Sequence, residues 1–239
     1  MRRENMIYAV SDLHGYPLTG FLSLLSKAGF CDEDFLFVLG DVIDRGDDGI
    51  RLLDYLLDKP NIQLILGNHE AMMLACSFIT DIVTDDFLES LDETKLSLLQ
   101  TWLHNGAAPT IKAIGQLAKS EPEKLEYIYD YLRDAPLYDT VTAGSKDFVL
   151  THAGLGGYSP GKKLCEYSDR ELLWNRPNLS EQYSGKFFTV FGHTPTAFYS
   201  KEYSGKALKT DTWINIDAGV ACGEKPMLLR LDDRKEFYL

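Results

Sequence analysis

A repeated unit near the N-terminus constrains this chain most: a short apolar run ends in a polar loop, and a helix-forming segment follows. The apolar runs are residues 6–10, 35–39 and 62–66, and each loop contains glycine together with Asp or Asn. Continuous apolar runs of this length are typical of strands buried on both faces, as in parallel sheets. The unit therefore predicts an α/β fold whose parallel strands bring their loops together at the C-terminal edge of a sheet.

Beyond these units the pattern changes twice. Residues 76–135 have helical periodicity, and we interpret them as a helical insert. After the insert, strand-like apolar runs separated by Gly, Pro and Asp turn signals occur at residues 148–150, 187–191, 213–216 and 227–231. No internal repeat or flexible linker interrupts the chain, so we expect a single domain over residues 1–239.

Composition excludes several functional classes. The chain has 36 Asp and Glu against 24 Lys and Arg, a net charge of −12, which argues against docking on nucleic acid or on an anionic membrane. No window approaches the roughly 18 apolar residues of a membrane span, and residues 6–10 are too short for a signal-peptide core, so we expect a cytoplasmic protein. The four cysteines lack ligand-like spacing and are interpreted as reduced packing residues.

Four of the five histidines stand in loops directly after a predicted strand: His14, His69, His152 and His193. Side chains two apart along an extended segment point the same way, so Asp12 and His14 can bind one metal ion. The fifth histidine, His104, lies in the insert, and we interpret it as a structural or capping residue. The histidines therefore direct attention to one rim of the sheet.

Six nitrogen and oxygen donors are expected at this rim: Asp12, His14, Asp41, Asn68, His152 and His193. Six mixed carboxylate, amide and imidazole donors are too many for one tetrahedral zinc ion and suit two divalent ions that share a carboxylate. Taken singly, each of these residues is more often a turn residue or a helix cap. The hypothesis of a two-metal centre depends on their joint placement.

Five sequence blocks in a fixed order carry a resemblance to a known family: SDLHG, GDVIDRG, GNHE, THAG and FGHTP. They resemble the phosphoprotein phosphatases, two-metal enzymes of the calcineurin-like metallophosphoesterase superfamily, and especially the small bacterial and phage members. The blocks span Ser11 to Pro195, and weaker similarities around Trp102, Trp174 and Asp217 extend the resemblance over almost the whole chain. The resemblance implies a four-layer α/β/β/α sandwich of two mixed sheets, with the site at the C-terminal ends of the strands.

The resemblance also implies a role for each site residue. One metal ion would be held by Asp12, His14 and Asp41, and the other by Asp41, Asn68, His152 and His193. Asp44 would pair with His69 as the general acid, and the phosphate would be bound by Arg45, Arg176 and Asn68. Manganese is the expected metal, with iron or zinc as alternatives.

These roles are chemically consistent. A water that bridges two divalent ions loses its proton near neutral pH and attacks phosphorus in line, while arginines neutralise the developing charge and a protonated imidazole protonates the leaving alkoxide. Taken alone, Arg45 and Arg176 would more often be residues of surface salt bridges, and Asp44 could cap a helix. Asp217 is expected either to orient a ligand imidazole or to be a turn residue.

Three functions stay open: a Ser/Thr-type phosphoprotein phosphatase acting on a phosphorylated protein or peptide, a symmetrical dinucleoside tetraphosphate hydrolase, and an inactive binding module. Leu66 and the THAG block resemble the nucleotide hydrolases, whereas Asp44 and Glu70 fit the phosphoprotein branch. Residues 80–135 hold 11 acidic and 5 basic residues, and this net charge of −6 would repel a polyanionic nucleotide. The inactive module is disfavoured because none of the six ligands is missing. The sequence does not indicate an oligomeric state.

Overall fold

The computed structural model describes residues 5–80, 92–183 and 186–239 and shows an α/β fold of two mixed five-stranded sheets. The first sheet contains β1 (Ile7–Val10), β2 (Phe35–Val38), β3 (Ile62–Leu64), β9 (Met227–Arg230) and β10 (Lys235–Tyr238). β1, β2 and β3 are parallel neighbours, and β9 and β10 add antiparallel strands beyond β1. The three predicted parallel strands are confirmed.

The predicted helices after β1 and β2 are confirmed as α1 (Leu18–Ala28) and α2 (Gly49–Leu57). A third helix, α3 (Asn68–Ala75), follows β3, so Asn68 and His69 lie in the first turn of a helix and not in the expected loop. α1 ends at Gly29, whose φ of 72° gives the left-handed C-cap that glycine adopts without steric cost. Buried leucines of α1 and α2 pack against β1 and β2, so these helices cover one face of the first sheet.

The second sheet contains β4 (Tyr138–Ala143), β5 (Lys146–Thr151), β6 (Phe188–Phe191), β7 (Leu208–Lys209) and β8 (Trp213–Asn215). Its strand order is β4-β5-β6-β8-β7, with β5, β6 and β8 parallel and both edge strands antiparallel. Sequence reasoning does not predict β4, β7 or β10. Each is an edge strand that carries polar, partly exposed residues, so it lacks the continuous apolar run of a central strand.

Alternating side chains of the central strands join separate cores. On β1, Tyr8 and Val10 pack against the helices, whereas Ala9 faces the second sheet. On β5, Leu150 faces the first sheet, and Val149 packs on the other side with loops and α7 (Asp169–Leu173). The four-layer sandwich is confirmed, and its outer layer on the second sheet consists of the short helix α7 and loops.

Three helices occupy the region predicted as a helical insert: α4 (Glu93–His104), α5 (Ala108–Ser120) and α6 (Pro122–Asp134). Ile114 of α5 and Ile128 of α6 are fully buried in the same core as α1 and α2. Residues 81–91 of the insert lie outside the described residues. The single domain over residues 1–239 stays a prediction. In the described ranges no helix combines the length and the hydropathy that a membrane crossing needs.

The core between the sheets gives a test of this layering. Leu150 has no exposed surface there, so we expect Leu150→Ala to lower the free energy of unfolding by about 2–5 kcal/mol. Leu22 of α1 is 37% exposed and serves as the control. Leu22→Ala should change the free energy of unfolding by less than about 1 kcal/mol. Chemical denaturation measures both, and equal effects would contradict the placement of Leu150.

Candidate metal centre

The six predicted ligands lie where strands of both sheets end. Asp12 and His14 follow β1, Asp41 follows β2, Asn68 begins α3, His152 follows β5 and His193 follows β6. All six are buried, with at most 8% of the surface of any one exposed. Because buried polar groups need partners, these side chains must be satisfied by one another or by a bound group.

Asn68, His152 and His193 form a tight group with one oxygen of Asp41. Asn68 Oδ1 lies 2.8 Å from both His152 Nε2 and His193 Nδ1, and these two nitrogens are 3.2 Å apart. Asp41 Oδ1 lies 3.4 Å from His152 Nε2. The structure thus brings together the four residues that the resemblance assigns to one metal ion.

The other oxygen of Asp41 faces a second group. Asp41 Oδ2 lies 3.8 Å from His14 Nε2 and 3.7 Å from His69 Nε2. A carboxylate whose two oxygens face two separate groups of ligand atoms is placed to bridge two metal ions. The sharing of Asp41 between two sites, which the sequence suggested, is therefore geometrically available.

Asp12 does not join this second group, although the resemblance assigns it there. The group whose ligand atoms lie within 4.8 Å of one another consists of His14, Asp41 and His69. The carboxylate oxygens of Asp12 instead accept the backbone N–H of His193 at 2.9 and 3.1 Å. His69, the third member of this group, is the residue that the resemblance assigns to proton donation, and the role of Asp12 as a ligand stays a prediction.

The hydrogen bonds of the histidines indicate that these groups fit divalent cations. His152 Nδ1–H donates to the backbone oxygen of Leu39 at 2.8 Å, and His14 Nδ1–H donates to that of Ile43 at 3.2 Å. Each Nε2 therefore presents a lone pair to carboxylate or amide oxygens, which are acceptors too. Acceptors held this close repel one another unless a cation lies between them. Nitrogen and oxygen donors without sulfur suit manganese, iron or zinc.

Burial sets the charge state of these side chains. It lowers the pKa of His14 and of His193 to about 3 and lowers the pKa of His152 as well, so these imidazoles are neutral, the form that binds a metal. Burial and two neighbouring carboxylates raise the pKa of Asp12. Carboxylates among neutral imidazoles leave negative charge unbalanced, which favours the binding of cations.

Left-handed backbone conformations are concentrated at this centre. Among the residues described, seven non-glycine residues have positive φ, and six of them belong to the site: Asp12, His14, Asp41, Asp44, Arg45 and His193. This conformation costs roughly 1–2 kcal/mol per residue, and it persists only where the surrounding structure enforces it. The backbone of the site is therefore held by contacts from elsewhere in the fold.

Glu70 supplies one such contact, and sequence reasoning misses its role. Its buried carboxylate accepts the backbone N–H groups of Asp41 and Val42, both at 2.8 Å, and of Gly67 at 3.2 Å. These bonds tie the loop after β2 to the loop after β3. Glu70 is the third residue of α3, a position where helix N-termini favour carboxylates, and this was the available signal.

His69 and Asp44 form the pair that the resemblance implies. His69 Nδ1–H donates to Asp44 Oδ2 at 2.6 Å, and both side chains are buried. Burial disfavours the charged form, but Asp41 and Asp44 outweigh it and raise the pKa of His69. A protonated His69 held through Nδ1 presents its other N–H toward the two groups of ligands, as donation of a proton to a leaving group requires.

A pocket of about 120 Å³ lies beside the two groups, and the predicted residues that line it are His14, Asp41, Arg45, Asn68, His69, Arg176 and His193. Both arginines are exposed, and their role in binding phosphate stays a prediction. Phe198 also lines the pocket, and nothing in its sequence context predicts this.

Asp217 lines the pocket and accepts the backbone N–H of Gly219 at 2.9 Å, as a turn residue does. His104 is exposed at the end of α4.

Comparison with known proteins identifies relatives of this chain. A sequence profile for the calcineurin-like phosphoesterases matches residues 6–214. The symmetrical bis(5'-nucleosyl)-tetraphosphatase of Buchnera aphidicola subsp. Acyrthosiphon pisum (strain 5A) is 36% identical over 96 residues, 37% of this chain and 35% of that protein. Serine/threonine-protein phosphatase 2 of Salmonella typhimurium is 29% identical over 190 residues, 78% of this chain and 75% of that protein.

Among solved structures, a protein provisionally named diadenosine tetraphosphatase is similar to this chain, with a TM-score of 0.65 at 20% identity. The similarity covers 97% of this chain and 91% of that one, and it concerns the fold alone. The chain spans about a third of the length of the Buchnera relative. The names of these relatives state different substrates.

Removal of one ligand tests the metal centre. We expect the purified protein, supplied with manganese, to bind about two ions per chain, as two-metal hydrolases do. His152→Ala should bind fewer, because His152 Nε2 faces Asn68, His193 and Asp41 at once. Plasma mass spectrometry of desalted protein counts the ions. His104→Ala, which removes an exposed histidine, is the control and should bind as many ions as the unchanged protein. Full retention of manganese by His152→Ala would contradict the assignment.

Proposed function

The chain belongs to the calcineurin-like phosphoesterase family, and we propose that it is a two-metal phosphomonoester hydrolase of the Ser/Thr phosphoprotein phosphatase type. The observation that carries this proposal is the position of Asp41. One of its oxygens faces His152, and the other faces His14 and His69. The donor atoms on both sides are nitrogen and oxygen, which suits manganese first, with iron or zinc as alternatives.

The chemistry needs metals and a proton donor. When bound, two divalent cations supply Lewis acidity and a nucleophilic water near neutral pH. Arg45 and Arg176 bind the phosphoryl oxygens and neutralise the charge that develops on them. His69 donates the proton at Nε2 to the leaving alkoxide, while Asp44 holds Nδ1 and favours the protonated ring. Asn68 contributes its amide oxygen to one metal group and contacts the phosphate.

Two observations support phosphorylated proteins or peptides as substrates. The similarity to the Salmonella phosphatase covers 78% of this chain. The insert reaches the pocket at Asn105, and residues 80–135 carry the net charge of −6. A segment of this net charge favours a substrate with basic residues beside the phosphate over one with several phosphates. The overall charge of −12 also opposes nucleic acid and anionic membranes as partners, and we place the enzyme in the cytoplasm.

A symmetrical dinucleoside tetraphosphate hydrolase is the second candidate, and it has comparable support. The Buchnera relative carries that name, and the similar solved structure is provisionally named for the same substrate class. Leu66 and the THAG block also resemble that branch. The two functions use the same metal centre, so only the choice of substrate separates them.

A substrate panel with manganese-loaded protein separates the candidates. We expect kcat/KM to be higher for phosphoserine and phosphothreonine peptides with basic flanks than for diadenosine tetraphosphate. His152→Ala, prepared in the same way, excludes contaminating phosphatases. Much faster cleavage of diadenosine tetraphosphate would make the nucleotide hydrolase the correct function. If the metal-loaded protein hydrolyses neither substrate, the inactive binding module is the remaining candidate function.

The general acid has its own test. His69→Asn should slow hydrolysis of a phosphoserine peptide by roughly 10² to 10⁴, because the serine alkoxide needs a proton as it leaves. The loss on p-nitrophenyl phosphate should be much smaller, since p-nitrophenolate leaves without protonation. Steady-state kinetics on both substrates at constant metal content measure the ratio. Equal losses on the two substrates would remove His69 from this role.

A further inference from the structure

The end of α4 reaches the catalytic pair. Trp102 has no exposed surface, and its indole N–H donates to Asp44 Oδ2 at 2.8 Å. The same oxygen accepts His69 Nδ1–H at 2.6 Å. In the described ranges no donor reaches Asp44 Oδ1, which is also buried. Two donors on a single oxygen therefore fix the rotation of this carboxylate.

The insert also holds the backbone beside this carboxylate. Asp44 donates its backbone N–H to Thr110 Oγ1 at 3.0 Å, and Arg45 donates its own to the backbone oxygen of Gly106 at 2.9 Å. Asp44 and Arg45 have φ of 70° and 68°, and two consecutive left-handed residues persist only where contacts with other segments hold the backbone. A Cβ at Gly106 would lie 2.8 Å from Arg45 Cγ, so the insert approaches this turn closely.

We propose that Trp102, assisted by Thr110, is a positioning residue for the catalytic reaction. Trp102 holds the Asp44 carboxylate in the orientation that accepts from His69, and Thr110 holds the backbone from which that carboxylate projects. The insert is thereby part of the catalytic apparatus. This inference rests on the proposed function, because it assigns Trp102 an effect only through His69 as proton donor.

The alternative is that Trp102 only fills space in the core. Packing requires the volume of the indole ring but not the direction of its N–H. A buried indole N–H needs an acceptor, and here the acceptor is a carboxylate that also binds the catalytic imidazole. Phenylalanine keeps most of the apolar ring and removes the N–H, so Trp102→Phe separates the two roles.

Trp102→Phe should lower kcat for a phosphoserine peptide by about tenfold or more, since a hydrogen bond to a charged group is lost. KM and the manganese content should stay close to those of the unchanged protein. On p-nitrophenyl phosphate the loss should be below about twofold, because this leaving group needs little protonation. A purely structural defect would instead slow both substrates equally.

Trp213 offers a matched control. It too has no exposed surface, and its indole N–H donates to the backbone oxygen of Glu181 at 2.9 Å in the core behind the second sheet. Trp213→Phe therefore removes a comparable buried indole hydrogen bond that involves neither Asp44 nor His69. It should leave the ratio of peptide to p-nitrophenyl phosphate rates unchanged. If it shifts this ratio as Trp102→Phe does, the positioning role is wrong.

Combination with His69→Asn completes the test. Because Trp102 acts through His69, the double variant should be no slower on the peptide than His69→Asn alone. Additive losses, or equal losses of Trp102→Phe on both substrates, would overturn the inference. If Trp102→Phe does not fold, Thr110→Val removes the acceptor of the Asp44 N–H with little change in shape and should show the same substrate selectivity.

The outcomes also separate this inference from the proposed function. Selectivity in His69→Asn without selectivity in either insert variant would overturn only the positioning role. Absence of selectivity in His69→Asn itself would overturn the general acid, and the positioning role with it. Selectivity in His69→Asn and in Trp102→Phe, absent from Trp213→Phe, is the result that the geometry predicts.

Discussion

The position of one carboxylate between two sets of imidazole nitrogens is the constraint on which the rest of this site depends. Asp41 faces His152 with one oxygen and His14 and His69 with the other. The ring N–H groups of His14 and His152 donate to backbone oxygens. The Nε2 atoms of these rings are therefore acceptors, and they face other acceptors without a hydrogen between them. Divalent cations resolve this excess of acceptors, and the same cations would activate water for attack on a phosphate ester.

The fold meets this constraint in the loops that follow the strands and in the first turn of α3. Strands of both sheets end at one edge, and the residues after them take left-handed conformations that cost free energy individually. Glu70 holds the loop after β2 through three backbone N–H groups, of Asp41, Val42 and Ile43. On the other side of the same loop, the insert holds Asp44 and Arg45. Residues that do not touch the substrate thus determine where the reactive groups lie.

The sequence predicts the parallel strands of the first sheet and the ligand-bearing segments after them because both depend on local patterns. Continuous apolar runs mark β1, β2 and β3, and the polar residues behind them can lie only at the carboxyl edge. Edge strands β4 and β10 escape prediction because they carry polar, partly exposed residues and lack a continuous apolar run. The local sequence pattern also fails to predict side-chain orientations that depend on contacts between distant segments. The Asp12 carboxylate accepts the His193 N–H only because the second sheet brings His193 close to β1. The hydrogen bond from Trp102 to Asp44 joins residues that are 58 positions apart.

Electron paramagnetic resonance of the manganese-loaded protein tests the bridging position of Asp41 most directly. Two ions that share a carboxylate interact magnetically, so the account predicts the spectrum of a coupled manganese pair. It also predicts that Asp41→Ala abolishes this spectrum and lowers the affinity for both ions. Two uncoupled manganese signals in the unchanged protein, or a coupled pair that survives Asp41→Ala, would contradict it.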